Sequence, residues 1–147
     1  MSEHHASVEW KRSGEFRYES YSRAHVLKFG DLSVAATAAP DNIPATAPAA
    51  AGVDPEQAFV ASLSSCHMLW FLHLACRANL TVERYVDDAV GTLEKTWISK
   101  VILRPAVSFS GKAPSAAEHQ ALHEKAHAKC FIAHSVKSDV RVEPRIA

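Results

Sequence analysis

Between residues 7 and 37 apolar and polar side chains alternate with a period of two. Ser7-Val8-Glu9-Trp10 alternates, and Phe16-Arg17-Tyr18-Glu19-Ser20-Tyr21 alternates again with its aromatics on one face. Both runs predict strands, and Ser13-Gly14 between them predicts a turn. His25-Val26-Leu27-Lys28-Phe29 and Leu32-Ser33-Val34 flank Gly30-Asp31, a hairpin signal. The first quarter of the chain therefore reads as an antiparallel meander. Residues 35–53 interrupt this pattern. Pro40, Pro44 and Pro48 block helix and ladder alike, and Gly52 closes the segment, which predicts a long ordered loop.

Asp54-Pro55-Glu56 is a helix start: a capping carboxylate, a proline at the first helical position and an acid in the first turn. The helix is expected to run to about Ala78. Apolar residues occupy nearly its whole circumference, which predicts burial on most sides. Residues 80–94 mix strand and irregular signals. Val101 to Phe109 reads as a strand, with Pro105 marking an edge or a bulge. Gly111 and Pro114 break the chain. Ser115 with Glu118 forms a capping box for a second helix, whose stripe carries Leu122, Ala126 and Cys130. Ser138 to Glu143 is a final strand. The order ββ(β)-α-ββ-α-β makes an α+β fold in a single domain over residues 1–147.

Composition narrows the function. The 147 residues are 48% apolar and 22% charged, as in ordinary globular domains. Sixteen basic residues balance sixteen acidic ones, so no excess of cations is available for a phosphate backbone, and nucleic acid is not an expected partner. Three cysteines do not make a disulfide scaffold. Met1-Ser2-Glu3-His4-His5 has neither the basic nor the apolar region of a secretion signal. A cytoplasmic location is expected, where thiols stay reduced. Gln57 to Cys76 is free of formal charge and about long enough to span a bilayer. Ser62, Ser64, Ser65, His67 and His73 lie inside it, so it reads as a core helix and no membrane partner is expected.

Candidate chemistry centres on thiols and imidazoles. Cys66 follows Ser62-Leu63-Ser64-Ser65, an unusually hydroxyl-rich stretch for a buried helix. Cys130 stands near the end of the second helix. Cys76 lies ten residues beyond Cys66, about 15 Å along one helix, too far for a disulfide between them. A redox pair would join Cys130 to Cys66 or to Cys76. His119, His123 and His127 recur every four residues and share a helix face. His123, His127 and Cys130 could present three metal ligands; the rival is a solvated polar face. His67 and His73 read as packed and hydrogen-bonded side chains. No G-x-S-x-G, P-loop or dinucleotide fingerprint occurs.

Taken together, Asp54-Pro55-Glu56 opening a helix, Leu63-Ser64-Ser65-Cys66-His67-Met68, and Ala126-His127-x2-Cys130 followed by Ser135-Val136-Lys137 resemble the OsmC/Ohr family of osmotically inducible and organic hydroperoxide resistance proteins. The likeness runs from about residue 15 to 143. It implies an OsmC-like fold, antiparallel sheets around a long central cysteine-bearing helix, and an intertwined homodimer. It implies a thiol peroxidase acting on small organic hydroperoxides in oxidative-stress defence, with no cofactor and no metal. An external dithiol or lipoyl-type reductant would regenerate it. Cys66 would map to the reacting cysteine and Cys130 to the resolving one, leaving Cys76 a bystander. Glu56 would map to the carboxylate that holds an arginine, and Arg23 to that arginine, with Arg17 as its substitute. A thiolate, not a thiol, attacks the O–O bond, and Cys66 lies beyond reach of the helix dipole, so a cation is required. After Cys130 stands Phe131, where hydroperoxide-specialised members carry proline. Two other classes compete: a metal-binding protein using His123, His127 and Cys130, and a non-catalytic dimeric binding module of the same fold.

Overall fold

The structure is a computed structural model and describes residues 1–145. Two compact units divide the chain, Met1–Ala58 and Phe59–Ala147. In the first, strands β1 (Ser7–Glu9), β2 (His25–Phe29) and β3 (Leu32–Ala36) form an antiparallel sheet in that order, with Val8 opposite Leu27 and Leu27 opposite Val34. The hairpin falls where Gly30-Asp31 predicts it. The expected strand over Phe16–Tyr21 does not form. Instead the amides of Ser20 and Tyr21 both bond the Arg17 carbonyl, at 3.0 and 2.9 Å, closing a turn. The alternating aromatics serve another end: Phe16 packs on Trp10 and on Tyr21, with ring centroids 5.7 and 5.0 Å apart. Their period reflects a local aromatic cluster and no ladder.

The Ala/Pro-rich segment forms no strand or long helix, only a 3-10 turn at Pro40–Asn42, in keeping with its prolines. Its end returns to β3 through Val53, whose amide and carbonyl bond Ala35 and Thr37. Gly52 makes this approach possible. It has φ 155°, and a Cβ there would lie 2.8 Å from the Ala36 backbone.

Helix α1 (Pro55–Arg77) begins with reciprocal bonds. The Gln57 amide donates to the Asp54 carboxylate at 2.7 Å, and the Asp54 amide donates to the Gln57 side chain at 3.1 Å. The helix ends where Asn79 turns left-handed at φ 55° and the Leu80 amide reaches back to the Ala75 carbonyl.

The second unit holds strands β4 (Thr81–Asp87), β5 (Val90–Glu94), β6 (Trp97–Leu103), β7 (Pro105–Ser110) and β8 (Asp139–Val142), with helices α2 (Ala116–Lys129) and α3 (Phe131–His134). β4 pairs with β7 in one antiparallel ribbon, and β5-β6-β8 form a second sheet. One expectation is corrected here. The single strand over Val101–Phe109 is two strands, because Pro105 has no amide to continue the ladder and the Arg104 amide turns to the Asp87 carboxylate at 2.6 Å. The sheets are antiparallel as expected apart from one pairing, β6 with β8, which is parallel. The α2 crossover between β7 and β8 supplies the length that a parallel return needs.

The core of this unit has two patches. Phe71, Ala75, Val107, Leu122 and Ala126 make one; Leu63, Val101 and Leu103 make the other. α1 contributes Leu63, His67, Phe71 and Ala75, one stripe at four-residue spacing. The expected burial on most sides is therefore not met within one chain: Leu69, on another face, is 60% exposed.

A candidate cysteine-pair site

α1 and α2 meet along an antiparallel seam. Phe71 packs on His119 and His123, His67 bonds His123, and Cys66 lies beside Cys130, so numbers fall along α2 as they rise along α1. Ser115 caps α2 through the predicted capping box with Glu118. α2 stops at Lys129 because Cys130 takes an extended conformation, φ −70° and ψ 109°, and becomes the cap of α3. Its Sγ accepts the Ala133 amide at 3.4 Å.

The two thiols differ. Cys130 is 1% exposed; Cys66 is half-buried. Burial, and then the hydrogen bond with Cys66, pushes the Cys130 thiol up to about 11. At neutral pH Cys130 is therefore a thiol, with Cys66 beside it. Cys66 in turn opens onto a hollow of about 320 Å³ lined by Leu69, Trp70, His73 and Phe131. Phe131 stands edge-on to Trp70 with centroids 5.5 Å apart, and Lys129 carries its ammonium over the same indole. Cys76, in the last turn of α1, is exposed. Of the two pairings left open by the residues alone, the fold brings together Cys66 and Cys130.

Arg23 lies in the first unit and is 8% exposed. Its guanidinium donates to the carbonyls of Tyr21 and Tyr18 at 2.7 and 2.8 Å and lies 3.5 Å over the Tyr21 ring. It borders a hollow of about 420 Å³ with Trp10, Phe16 and His25. Arg17 is exposed and pairs with Glu15. Glu56, on the first turn of α1, accepts from the Asn42 side chain at 3.3 Å, while its Oε2 is buried without a partner among the described residues. No ion pair joins Arg23 to Glu56 among the described residues.

The histidine face of α2 is neither of the things the spacing allowed. Among the described residues no group of three His, Cys, Asp or Glu could hold a metal ion. Nor is the face solvated: His123 is 1% exposed and its Nδ1 lies 3.0 Å from Nε2 of His67, itself fully buried. The sequence reading missed this pair and missed Phe131 as a wall of the hollow. Both had a signal. His67 continues the Leu63-Phe71-Ala75 stripe, and Phe131 follows Cys130 directly.

The profile of the OsmC-like protein family matches residues 47–145. The chain is 45% identical to an OsmC-like protein of unknown function from Vibrio cholerae, with a TM-score of 0.92 over 99% of this chain and all of that one. An OsmC-like protein from Mycoplasma pneumoniae superposes with a TM-score of 0.77 at 10% identity, covering 99% and 98% of the two chains. The organic hydroperoxide resistance protein OhrB of Bacillus subtilis superposes with a TM-score of 0.63 at 22% identity, covering 96% and 98%. No curated protein matches the chain.

Proposed function

The chain belongs to the OsmC-like family and has its α+β fold, and from that premise we propose that it is a thiol-dependent peroxidase for organic hydroperoxides. The observation that carries the reading is that Cys130 lies beside Cys66, which lines an apolar hollow. The Cys66 thiolate attacks one oxygen of ROOH. An S–O bond forms, the O–O bond breaks, and the alkoxide leaves as alcohol after taking a proton. Cys66 is then a sulfenic acid. The Cys130 thiol attacks its sulfur, an S–S bond forms, and water leaves carrying the Cys130 proton. An external dithiol reduces the disulfide and is itself oxidised. A protonated Cys130 suits this order, since it does not compete for the peroxide.

Leu69, Trp70 and Phe131 favour an apolar substituent on the peroxide. Arg23 and Glu56 keep the roles that the resemblance assigns: the cation of the attack and the carboxylate that orients it. A nearly buried guanidinium without a carboxylate partner among the described residues, and a carboxylate with one unpaired oxygen, both suit a pair completed on assembly. A homodimer belongs to the same reading. Leu69 and Phe131, 60% and 69% exposed, are the apolar surface it would cover. We place the protein in the cytoplasm, where a dithiol reductant is at hand. The test is consumption of cumene hydroperoxide with dihydrolipoamide, for wild type and Cys66→Ser. Turnover is expected only for wild type; equal consumption by both would overturn the assignment.

A further inference from the structure

Two imidazoles lie buried beside the cysteine pair, and the thiol chemistry uses neither. His67 follows Cys66 on α1, and His123 stands seven residues, about two turns, before Cys130 on α2. Their ring centroids are 5.3 Å apart with planes 6° from parallel. That separation is the 3.0 Å nitrogen–nitrogen distance plus two ring radii, so the rings meet head-on in one plane. The contact is a directional N–H···N bond, whichever ring holds the proton. Phe71, one turn further along α1, stacks on His123 at 4.3 Å and closes the pair from the side.

This bond is a poor way to make a core stable. Its outer nitrogens, Nδ1 of His67 and Nε2 of His123, are buried without partners among the described residues. In either tautomer one is an unmatched donor and the other an unmatched acceptor, and each is costly to bury. Two apolar side chains of similar shape would bury as much surface without that penalty. What the bond has, and an apolar contact lacks, is direction. It opposes both sliding and rotation of α1 against α2.

We propose that His67 and His123 are positioning residues, forming a clasp that holds the two helices in the register at which Cys66 and Cys130 close to a disulfide. The proposal rests on the reading of those cysteines as a redox pair. Its logic is geometric. A slip of one residue moves a helix about 1.5 Å and turns its side chains about 100°. A disulfide tolerates Cα separations only from about 4.4 to 6.8 Å. A clasp adjacent to one cysteine and two turns from the other removes that freedom. It also explains why a polar pair occupies a stripe otherwise filled by Leu63, Phe71 and Ala75.

The test separates closure from folding. The variants are His67→Leu/His123→Leu, which removes both polar groups, and His123→Asn, which keeps a bonding atom at the place of Nδ1. Each is treated with one equivalent of cumene hydroperoxide, and separately with diamide. The Cys66–Cys130 disulfide is followed by quenched peptide mapping, and sulfenic acid formation by dimedone labelling. The double leucine variant is expected to stay folded and to form the sulfenic acid at the wild-type rate. It should close the disulfide at least about tenfold more slowly, in line with the cost of a misplaced reacting group. His123→Asn should close within about threefold of wild type. Closure by the double variant at the wild-type rate would overturn the clasp alone. If the double variant does not fold, His123→Asn decides: slow closure in that folded variant overturns the proposal, and near-wild-type closure upholds it. Absence of a Cys66–Cys130 disulfide in the wild type under both oxidants would instead overturn the redox reading on which the clasp depends.

Discussion

α1 carries two cysteines ten residues apart whose surroundings are opposite. Cys66 is half-buried, faces the Cys130 thiol and opens onto an aromatic-walled hollow. Cys76 sits exposed in the final turn, past the point where α2 supplies another thiol. The helix is the same, and so is the side chain. What differs is the element packed alongside. The α1–α2 seam is therefore what sets the surroundings of Cys66 apart from those of Cys76. Four changes test this difference between the two thiols.

Removing the nucleophile should matter most. Cys66→Ser is expected to lower hydroperoxide consumption by about 10³-fold or more, the scale on which loss of a covalent nucleophile is felt. Coupled dihydrolipoamide oxidation measures it. Retained turnover would move the reacting thiol elsewhere and erase the contrast.

Cys130→Ser should separate the two halves of the cycle. The first turnover is expected at the wild-type rate, while steady-state turnover falls by roughly 10–100-fold and Cys66 accumulates as sulfinic acid under excess peroxide. Intact-mass spectrometry after one and after twenty equivalents reads this directly. Sustained turnover without over-oxidation would mean that another thiol resolves Cys66.

Acid should unlock the seam. Burial holds His67 down to about 4, with His127 adding to the effect, and His123 down to about 3, with His67 and His119 adding to it. An unfolded chain takes up these protons below about pH 6.5, the folded chain only near 4 and 3. Between those limits the unfolded state binds more protons, so stability is full above pH 6.5 and falls as pH drops through the window. A loss on the order of 3 kcal/mol for each histidine, roughly 6 kcal/mol for the pair, is expected between pH 7 and pH 4. Urea midpoints measure it. The double variant His67→Gln/His123→Asn should flatten the slope; an unchanged slope would place the acid lability outside the seam.

Cys76→Ser should do least. An exposed side chain in the last turn is expected to change stability by less than about 0.5 kcal/mol and turnover by less than about twofold. Peptide mapping that found Cys76 in a peroxide-induced disulfide would remove the distinction between the two ends.

Much of this was legible in the chain before any coordinates. The caps at Asp54 and Ser115 are local chemistry, so α1 and α2 begin where the residues say. Gly30-Asp31 turns where its backbone freedom predicts. The misreadings came from patterns with more than one physical cause. Alternating aromatics at Phe16–Tyr21 satisfy a strand template and a self-packed cluster equally well. The apolar circumference of α1 states that it needs cover and does not state which side the rest of its own chain supplies. The His119-His123-His127 period places three imidazoles on one face; only the presence of His67 opposite makes that face a buried seam.

The amino-acid sequence alone determined where the two long helices begin, the β2–β3 hairpin, the candidate thiols and the family to which the chain belongs. All of these rest on contacts within a few residues or on motifs read in line. Which thiol Cys130 meets, that Phe131 walls the hollow beside Cys66, and that His67 and His123 bond head-on were decided by tertiary structure. Each depends on residues more than fifty positions apart, brought together when α2 folds back along α1. No spacing within either helix encodes the register between them.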